Sequence, residues 1–124
     1  MTHAIFHPAE LELVDRGDGS GRTLIGISDA LTQTAAKFWR YPPGTRGKRH
    51  AEHVQEELIV VLEGDAAIDI GDPPERFELA RGSVCVVQPR VARQLRNDGD
   101  ADVVFFIVGA PPDEGGADYL PDLG

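Results

Sequence analysis

Residues 44–64 read GTRGKRHAEHVQEELIVVLEG, and the spacing of this stretch decides the fold prediction. Five residues separate Gly44 from His50, and Glu52 follows two positions after the histidine. Residues i and i+2 of a β-strand project from the same face, so His50 and Glu52 are expected to point the same way. Glu57 lies at the start of the next predicted strand, and pairing across a short loop would bring its carboxylate beside them. Gly64 supplies the turn that returns the chain.

Short apolar or alternating segments recur on both sides of this stretch, separated by sequences rich in Gly, Pro, Asn and Asp, a pattern typical of an all-β sandwich or barrel. The predicted strands are 22–27, 33–41, 58–62, 66–70, 76–79, 84–87, 93–95 and 103–108. A weak helix over 29–38 is the competing interpretation, but the aromatic residues at 38–41 favour a strand. We therefore predict one all-β domain over 1–124, with a barrel core at about 33–110 and an irregular tail over 111–124.

Composition narrows the classes of function. The 124 residues carry 21 acidic and 12 basic side chains, for a net charge of −9, which disfavours nucleic acid because binding to it requires neutralisation of phosphates. The longest apolar run, 103–108, is too short to cross a bilayer, and residues 1–10 lack a signal-peptide pattern. Cys85 is the single cysteine, which excludes a disulfide framework and a cysteine-based zinc site. A cytoplasmic protein without a membrane partner is expected.

The stretch 44–64 resembles the first motif of the cupin superfamily, G-x5-H-x-H-x3/4-E-x6-G. Every fixed position matches except that Glu52 stands where the second histidine is usual. The resemblance implies a double-stranded β-helix, or jelly-roll barrel, with a site at the barrel mouth. It also implies a homodimer, and a family site in which three histidines and one glutamate hold a metal ion.

Residues 82–97 read GSVCVVQPRVARQLRN and resemble the second cupin motif, G-x5-P-x-G-x2-H-x3-N, less closely. The first glycine and the last asparagine are retained, and together they place Arg90 at the second glycine and Arg93 at the histidine. A turn shorter by one residue would instead place Gln94 at the histidine position. The resemblance thus implies a ligand set in which a histidine has been replaced by an arginine.

Two interpretations of this altered set remain open. In the first, no metal is bound, and Arg93 lies between Glu52 and Glu57. A guanidinium donates no lone pair and repels a divalent cation, but it complements carboxylates through charge-assisted hydrogen bonds. Without a metal ion or the arginine, the two neighbouring carboxylates could not both stay ionised.

In the second interpretation, His50, Glu52 and Glu57 bind one divalent ion, manganese, iron or zinc. Arg93 then turns outward or contacts an anionic substrate, while His53 or Gln94 contributes at the edge. His53 follows Glu52 directly and is otherwise expected to be a solvated loop residue. The cofactor is therefore either absent or a single divalent metal ion.

Three functions are compatible with this site. The first is binding of a small polar or anionic molecule in the barrel mouth without the usual metal, with His50 as a general base and with ligand contacts from Glu52, Glu57, Arg93, Gln94 and Trp39. The second is a metal-dependent dioxygenase or isomerase, and the third is a non-catalytic regulatory or structural role. Whether the protein is an enzyme stays open.

Two groups of residues near the predicted site have uncertain orientation. Trp39 shares one face of its strand with Lys37 and Tyr41, and the sequence leaves open whether that face looks inward. The basic residues at 46, 48 and 49 are expected to form a solvated loop cluster beside the mouth, where they could also attract an anionic ligand.

Overall fold

The structure is a computed structural model that describes residues 2–112 and 115–123. Within these ranges the strands are β1 (Val14–Asp15), β2 (Thr23–Gly26), β3 (Ala35–Tyr41), β4 (His50–Glu52), β5 (Glu56–Glu63), β6 (Ala66–Ile70), β7 (Glu75–Leu79), β8 (Val84–Val87), β9 (Arg93–Arg96), β10 (Val103–Ala110) and β11 (Ala117–Tyr119). Two short 3-10 helices span Pro8–Glu10 and Ser28–Ala30. The prediction of an all-β chain is confirmed.

The strands form two antiparallel sheets with an apolar core between them. One sheet has the order β1-β2-β3-β10-β5-β8, and the other has the order β11-β4-β9-β6-β7. Alternate residues of β5 and β10 face the core, as the two-residue period of a strand requires. Ile59, Ile68 and Phe105 are completely buried there, and Val61, at 1% exposure, lies beside them.

The eight predicted segments all contain strands, and the helical alternative over 29–38 is wrong. Only Ser28–Ala30 forms a single 3-10 turn, and β3 begins at Ala35. The strand expected at His50 and Glu52 is β4.

The tail holds more order than its composition predicts. Residues 117–119 form β11, which pairs antiparallel with β4, where the sequence predicted irregular chain. This pairing satisfies backbone groups of β4 that would otherwise lie at a sheet edge, and it outweighs the low strand propensity of a tail rich in Gly, Pro and Asp. The predicted tail also includes residues 113, 114 and 124, which lie outside the described residues.

Gly64 shows why the motif requires glycine at its end. Its φ is +78°, in the left-handed region, and a Cβ atom placed there would lie 2.5 Å from the carbonyl oxygen of Asp102. Gly64 lies in the turn from β5 to β6, and a side chain there would press on the backbone that leads into β10, so this close approach requires glycine.

Two expectations about partners concern the surface. No helix among the described residues is long and apolar enough to cross a membrane. The edge strand β8 exposes Val84 and Val86 on the outer face of its sheet, but homodimerisation stays a prediction.

Candidate functional site

A cavity of about 300 Å³ lies between the two sheets at one end of the barrel. It is lined by charged, aromatic and aliphatic side chains together: Arg16, Arg22, Leu24, Lys37, Trp39, Tyr41, Lys48, His50, Glu52, Glu57, Ile59, Arg93, Leu95, Ile107 and Tyr119, with Gly47. The first motif, the second motif and β3 all reach it. Trp39 and Lys37 therefore lie on the inward face of β3, which the sequence left open.

Arg93 is the most deeply buried charged residue at this cavity, with 1% of its surface exposed. It lies directly across from His50 in the pairing of β9 with β4, so the two side chains share a face. Its Nη1 donates to Glu57 Oε1 at 2.9 Å, its Nη2 to the carbonyl oxygen of Gln88 at 2.8 Å, and its Nε to that of Val91 at 3.1 Å. Three acceptors thus hold the guanidinium inside the barrel.

Arg90 explains why Arg93 reaches that position. It has a φ of +69°, the left-handed conformation that glycine adopts most easily, and it stands where the second motif carries glycine. Its N–H donates to the carbonyl oxygen of Glu52 at 2.7 Å, which ties the turn to β4. This turn supports the register that places Arg93, rather than Gln94, at the histidine position.

His50 and Glu52 form a second pair. His50 Nε2 lies 3.3 Å from Glu52 Oε1, and His50 Nδ1 lies 2.9 Å from the carbonyl oxygen of Lys48. Both nitrogens thus face oxygen acceptors, an arrangement that suits the doubly protonated ring. Burial is the largest influence and disfavours the charged ring, but the Glu52 hydrogen bond, the Lys48 carbonyl and the nearby carboxylates together raise the pKa of His50 above its ordinary value.

The position of Glu57 differs from the sequence prediction. Glu57 belongs to β5, which lies in the sheet facing that of β4, so the prediction of adjacent paired strands is wrong. Residues 53–55 carry the chain across from one sheet to the other, and the carboxylate reaches the site from the opposite wall. The expected placement of Arg93 between two acids is also not seen: it pairs with Glu57, whereas Glu52 pairs with His50.

Arg22 and Tyr41 are site residues that the sequence analysis missed. The Arg22 guanidinium lies 5.2 Å from the Trp39 ring centroid and 5.1 Å from that of Tyr41, and its Nη2 pairs with Asp18 at 2.7 Å. Its Nη1 donates to the Tyr41 hydroxyl at 3.3 Å. Burial raises the pKa of Tyr41, so the phenol stays neutral and keeps a proton to donate. The shared strand face of Tyr41 and Trp39 was a usable signal, whereas nothing in the sequence marked Arg22.

The charge at the cavity is opposite to that of the whole chain. Five cationic side chains line it, against two carboxylates, in a protein with a net charge of −9. The cations are Arg16, Arg22, Lys37, Lys48 and Arg93. A concave site of one sign between low-dielectric walls attracts ligands of the other sign, and this cavity therefore favours an anion.

Gln94 and His53 lie away from the cavity and hold the tail instead. Gln94 is on the opposite face of β9 from Arg93, and its amide donates to the carbonyl oxygen of Gly47 at 2.8 Å and to Asp122 at 2.9 Å. His53 Nε2 lies 2.7 Å from Asp118, and its Nδ1 contacts the carbonyl oxygen of Gly115. These contacts with the tail raise the pKa of His53, the Asp118 hydrogen bond having the largest effect.

A divalent metal fits this donor set only in part. One ligand atom from each of His50, Glu52 and Glu57 lies within 4.8 Å of the other two. Because His50 Nδ1 contacts the carbonyl oxygen of Lys48, the Nε2 atom is the one available to a metal ion held with the two carboxylates. Against this, Glu57 already accepts from Arg93, which fixes a positive charge beside the group. If an ion binds, these three residues hold it, and it would act there as a Lewis acid.

Comparisons with known proteins agree with this geometry. A family model described as a cupin domain matches residues 37–109, which include both motifs. The chain belongs to the cupin domain family. No curated protein matches this cupin.

Solved structures confirm the double-stranded β-helix for this cupin. A conserved protein with a double-stranded β-helix domain from Klebsiella pneumoniae is 20% identical with a TM-score of 0.78, covering 97% of this chain and 99% of its own. KdgF from a Halomonas species is 14% identical with a TM-score of 0.75, covering 90% and 97%. A sugar phosphate isomerase of the cupin superfamily from Silicibacter pomeroyi is 21% identical with a TM-score of 0.67, covering 82% and 77%. At these identities the similarity establishes the fold alone.

Proposed function

We propose that this cupin binds a small anionic molecule in the cavity between its sheets, at a site organised by the Arg93–Glu57 pair in place of a histidine-held metal. The observation that carries the proposal is the excess of five cations over two carboxylates around a cavity of about 300 Å³. Trp39 and Ile107 add apolar wall, so the ligand combines an anionic group with a less polar body.

His50 is the residue suited to exchange a proton with that ligand. It lines the cavity, and its pairing with Glu52 holds the ring in place and, against the opposing effect of burial, helps to raise the pKa of His50 above its ordinary value. His50 can donate or accept a proton at one end of the cavity, and fixed cations surround the rest. This arrangement suits proton transfer next to an anionic group, which an isomerase requires. The Silicibacter protein is described as a sugar phosphate isomerase, and because a sugar phosphate is an anion, this similarity is consistent with the proposal.

The proposal is tested with a panel of small carboxylates and phosphate esters, each paired with its neutral alcohol, by calorimetry and thermal shift. Charged members should bind at least about tenfold more tightly than their neutral partners, and the difference should shrink as salt screens the field. Lys37→Gln should weaken binding, because Lys37 lines the cavity. Arg40→Gln is the matched control, since Arg40 lies on the other face of β3, paired with Asp102. Equal binding of charged and neutral partners would refute the proposal.

A second candidate is a metal-dependent cupin of the dioxygenase or isomerase type. The observation that favours it is the convergence of His50, Glu52 and Glu57 within 4.8 Å. Titration with manganese, iron(II) and zinc distinguishes the two candidates: tight stoichiometric binding that Glu57→Gln abolishes supports the metal site, and weak binding that Glu57→Gln leaves unchanged supports the first.

A further inference from the structure

A second cavity adjoins the first on the side of the C-terminal strand. It is lined by Asp18, Gly19, Ser20, Arg22, Arg46, Gly47, Lys48, Arg49, Tyr119, Leu120 and Asp122. Four of these residues, Arg22, Gly47, Lys48 and Tyr119, line both cavities, so the two cavities lie side by side with these residues at their boundary. The sequence analysis expected a solvated basic loop here, but Arg49 is only 6% exposed.

We propose that this second cavity binds the phosphate group of a phosphate monoester whose organic part lies in the first cavity. The proposal extends the function proposed above by naming the class of ligand. Its first support is charge: four cations at 22, 46, 48 and 49 surround the cavity with two carboxylates, Asp18 and Asp122. The lining residues thus carry more positive than negative charge, an excess that Asp72 reduces through its ion pair with Arg49, and this favours an anion such as a phosphate monoester.

The second support is an unsatisfied donor. Among the described residues, Arg49 Nη2 is buried and has no hydrogen-bond partner. Its nearest ion-pair partner is Asp72 Oδ1 at 3.4 Å, while Nη1 donates to the carbonyl oxygen of Pro121 at 3.3 Å. The contact with Asp72, which is 74% exposed, is an ion pair without a hydrogen bond, so this buried donor keeps hydrogen-bonding capacity that an oxyanion would satisfy.

The third support is the geometry at the boundary between the cavities. The Tyr119 ring lies 6.0 Å from the His50 ring, and Lys48 Nζ lies 5.4 Å from the Tyr119 ring centroid. Strand β11 holds Tyr119 there, because Tyr119 pairs with His50 across β4. A ligand that passes this boundary has its phosphate among the arginines and its body beside His50 and Trp39.

The test uses two probes, inorganic phosphate and phenyl phosphate, titrated calorimetrically at low ionic strength. Wild-type protein should bind both saturably. Arg46→Gln should weaken both by about tenfold or more, since a charge-assisted hydrogen bond is lost. Arg49→Gln should also weaken both probes, but Arg49 is buried and its replacement could prevent folding. Arg46 is partly exposed, so Arg46→Gln still provides the test in that case. Arg76→Gln, in an exposed ion pair on β7, is the control and should change neither affinity.

Substitutions in the first cavity separate this inference from the proposed function. Ile107→Ala should weaken phenyl phosphate several-fold and leave inorganic phosphate unchanged, because Ile107 lines the first cavity but not the second, and only the ester reaches it. If Lys37→Gln weakens inorganic phosphate while Arg46→Gln does not, phosphate binds in the first cavity, and the second-cavity proposal falls while the proposed function stands. If neither probe binds but carboxylates do, the phosphate proposal alone is refuted. If no anion binds at all, both are refuted.

Discussion

Replacement of Arg93 by methionine tests directly what holds the candidate site together. Arg93→Met keeps most of the aliphatic length of the side chain and removes the charge. It deletes three hydrogen bonds, to Glu57 Oε1 at 2.9 Å and to the carbonyl oxygens of Gln88 and Val91 at 2.8 and 3.1 Å. It also leaves Glu57, 6% exposed, as a buried carboxylate without its cation.

The expected loss of stability follows from these contacts. Removal of one partner of a buried ion pair destabilises a protein by about 3–5 kcal/mol, because the other charge stays buried and unpaired. Glu57→Gln should cost somewhat less, about 2–3 kcal/mol, since the Arg93 charge is then unneutralised but the amide oxygen still accepts from it. The double variant Arg93→Met with Glu57→Leu should be more stable than Arg93→Met alone, because the uncompensated carboxylate is gone.

The assay is urea unfolding followed by tryptophan fluorescence, with Trp39 as the single tryptophan and close to the site. The double-mutant cycle should give a coupling between Arg93 and Glu57 near the upper end of about 0.5–3 kcal/mol. Arg76→Met serves as the control, because exposed pairs contribute at most about 1 kcal/mol. The reasoning is refuted if Arg93→Met costs no more than Arg76→Met, or if the effects of the two site substitutions are additive.

Three further predictions concern the same site. Arg90→Gly should raise the free energy of unfolding by about 1 kcal/mol, because glycine adopts a φ of +69° without strain, and a decrease would show that the Arg90 side chain matters more than its backbone. The pKa of His50, measured from its ring proton resonances by NMR, should lie above the ordinary value of 6.5 and should fall in Glu52→Gln. The stability that protonated His50 contributes should be fully present below the unfolded-state pKa and should be lost as the pH rises through the folded-state pKa. A midpoint in the native protein at or below 6.5 would contradict this prediction. Glu52→His combined with Arg93→His restores the family's ligand set and should create tight nickel or zinc binding in a calorimetric titration, whereas affinity equal to that of the parent would show that Arg93 does not occupy the histidine position.

The strands were predictable where local pattern and packing agree. The alternation of Glu57, Ile59 and Val61 along β5 is visible in the sequence, and the same residues face the core. Turn residues such as Gly64 marked where that strand ends. In contrast, β11 follows no local signal, because its order comes from pairing with β4 and from contacts of His53 with Asp118.

The candidate site was predictable in its members more than in its geometry. The spacing of the motifs identified four residues that line one cavity: His50, Glu52, Glu57 and Arg93. Two of them share β4, and Arg93 on β9 pairs with His50 on β4. Spacing alone could not show that Glu57 comes from the facing sheet, because a three-residue loop fits either a hairpin or a crossover. That crossover decides the pairing, as it sets Glu57 beside Arg93.

The basic character of the cavity was hidden from the sequence for a different reason. Arg22 lies 71 positions before Arg93, and only the closure of the two sheets brings both to one space. Average charge misled as well, because a net charge of −9 conceals a cavity lined mostly by cations. Local charge around a concave site, rather than total charge, determines the ligand that it attracts.

The Arg93 guanidinium occupies the histidine position of the second motif and pairs with Glu57, and we infer that the site is complete without a metal ion. The most direct measurement is a crystal structure of tag-free protein grown with excess manganese and zinc. We expect Arg93 inside the barrel, within hydrogen-bonding distance of Glu57, and no ion bound by His50, Glu52 and Glu57. An ion held by those three residues, with Arg93 turned to the outer surface, would contradict this inference.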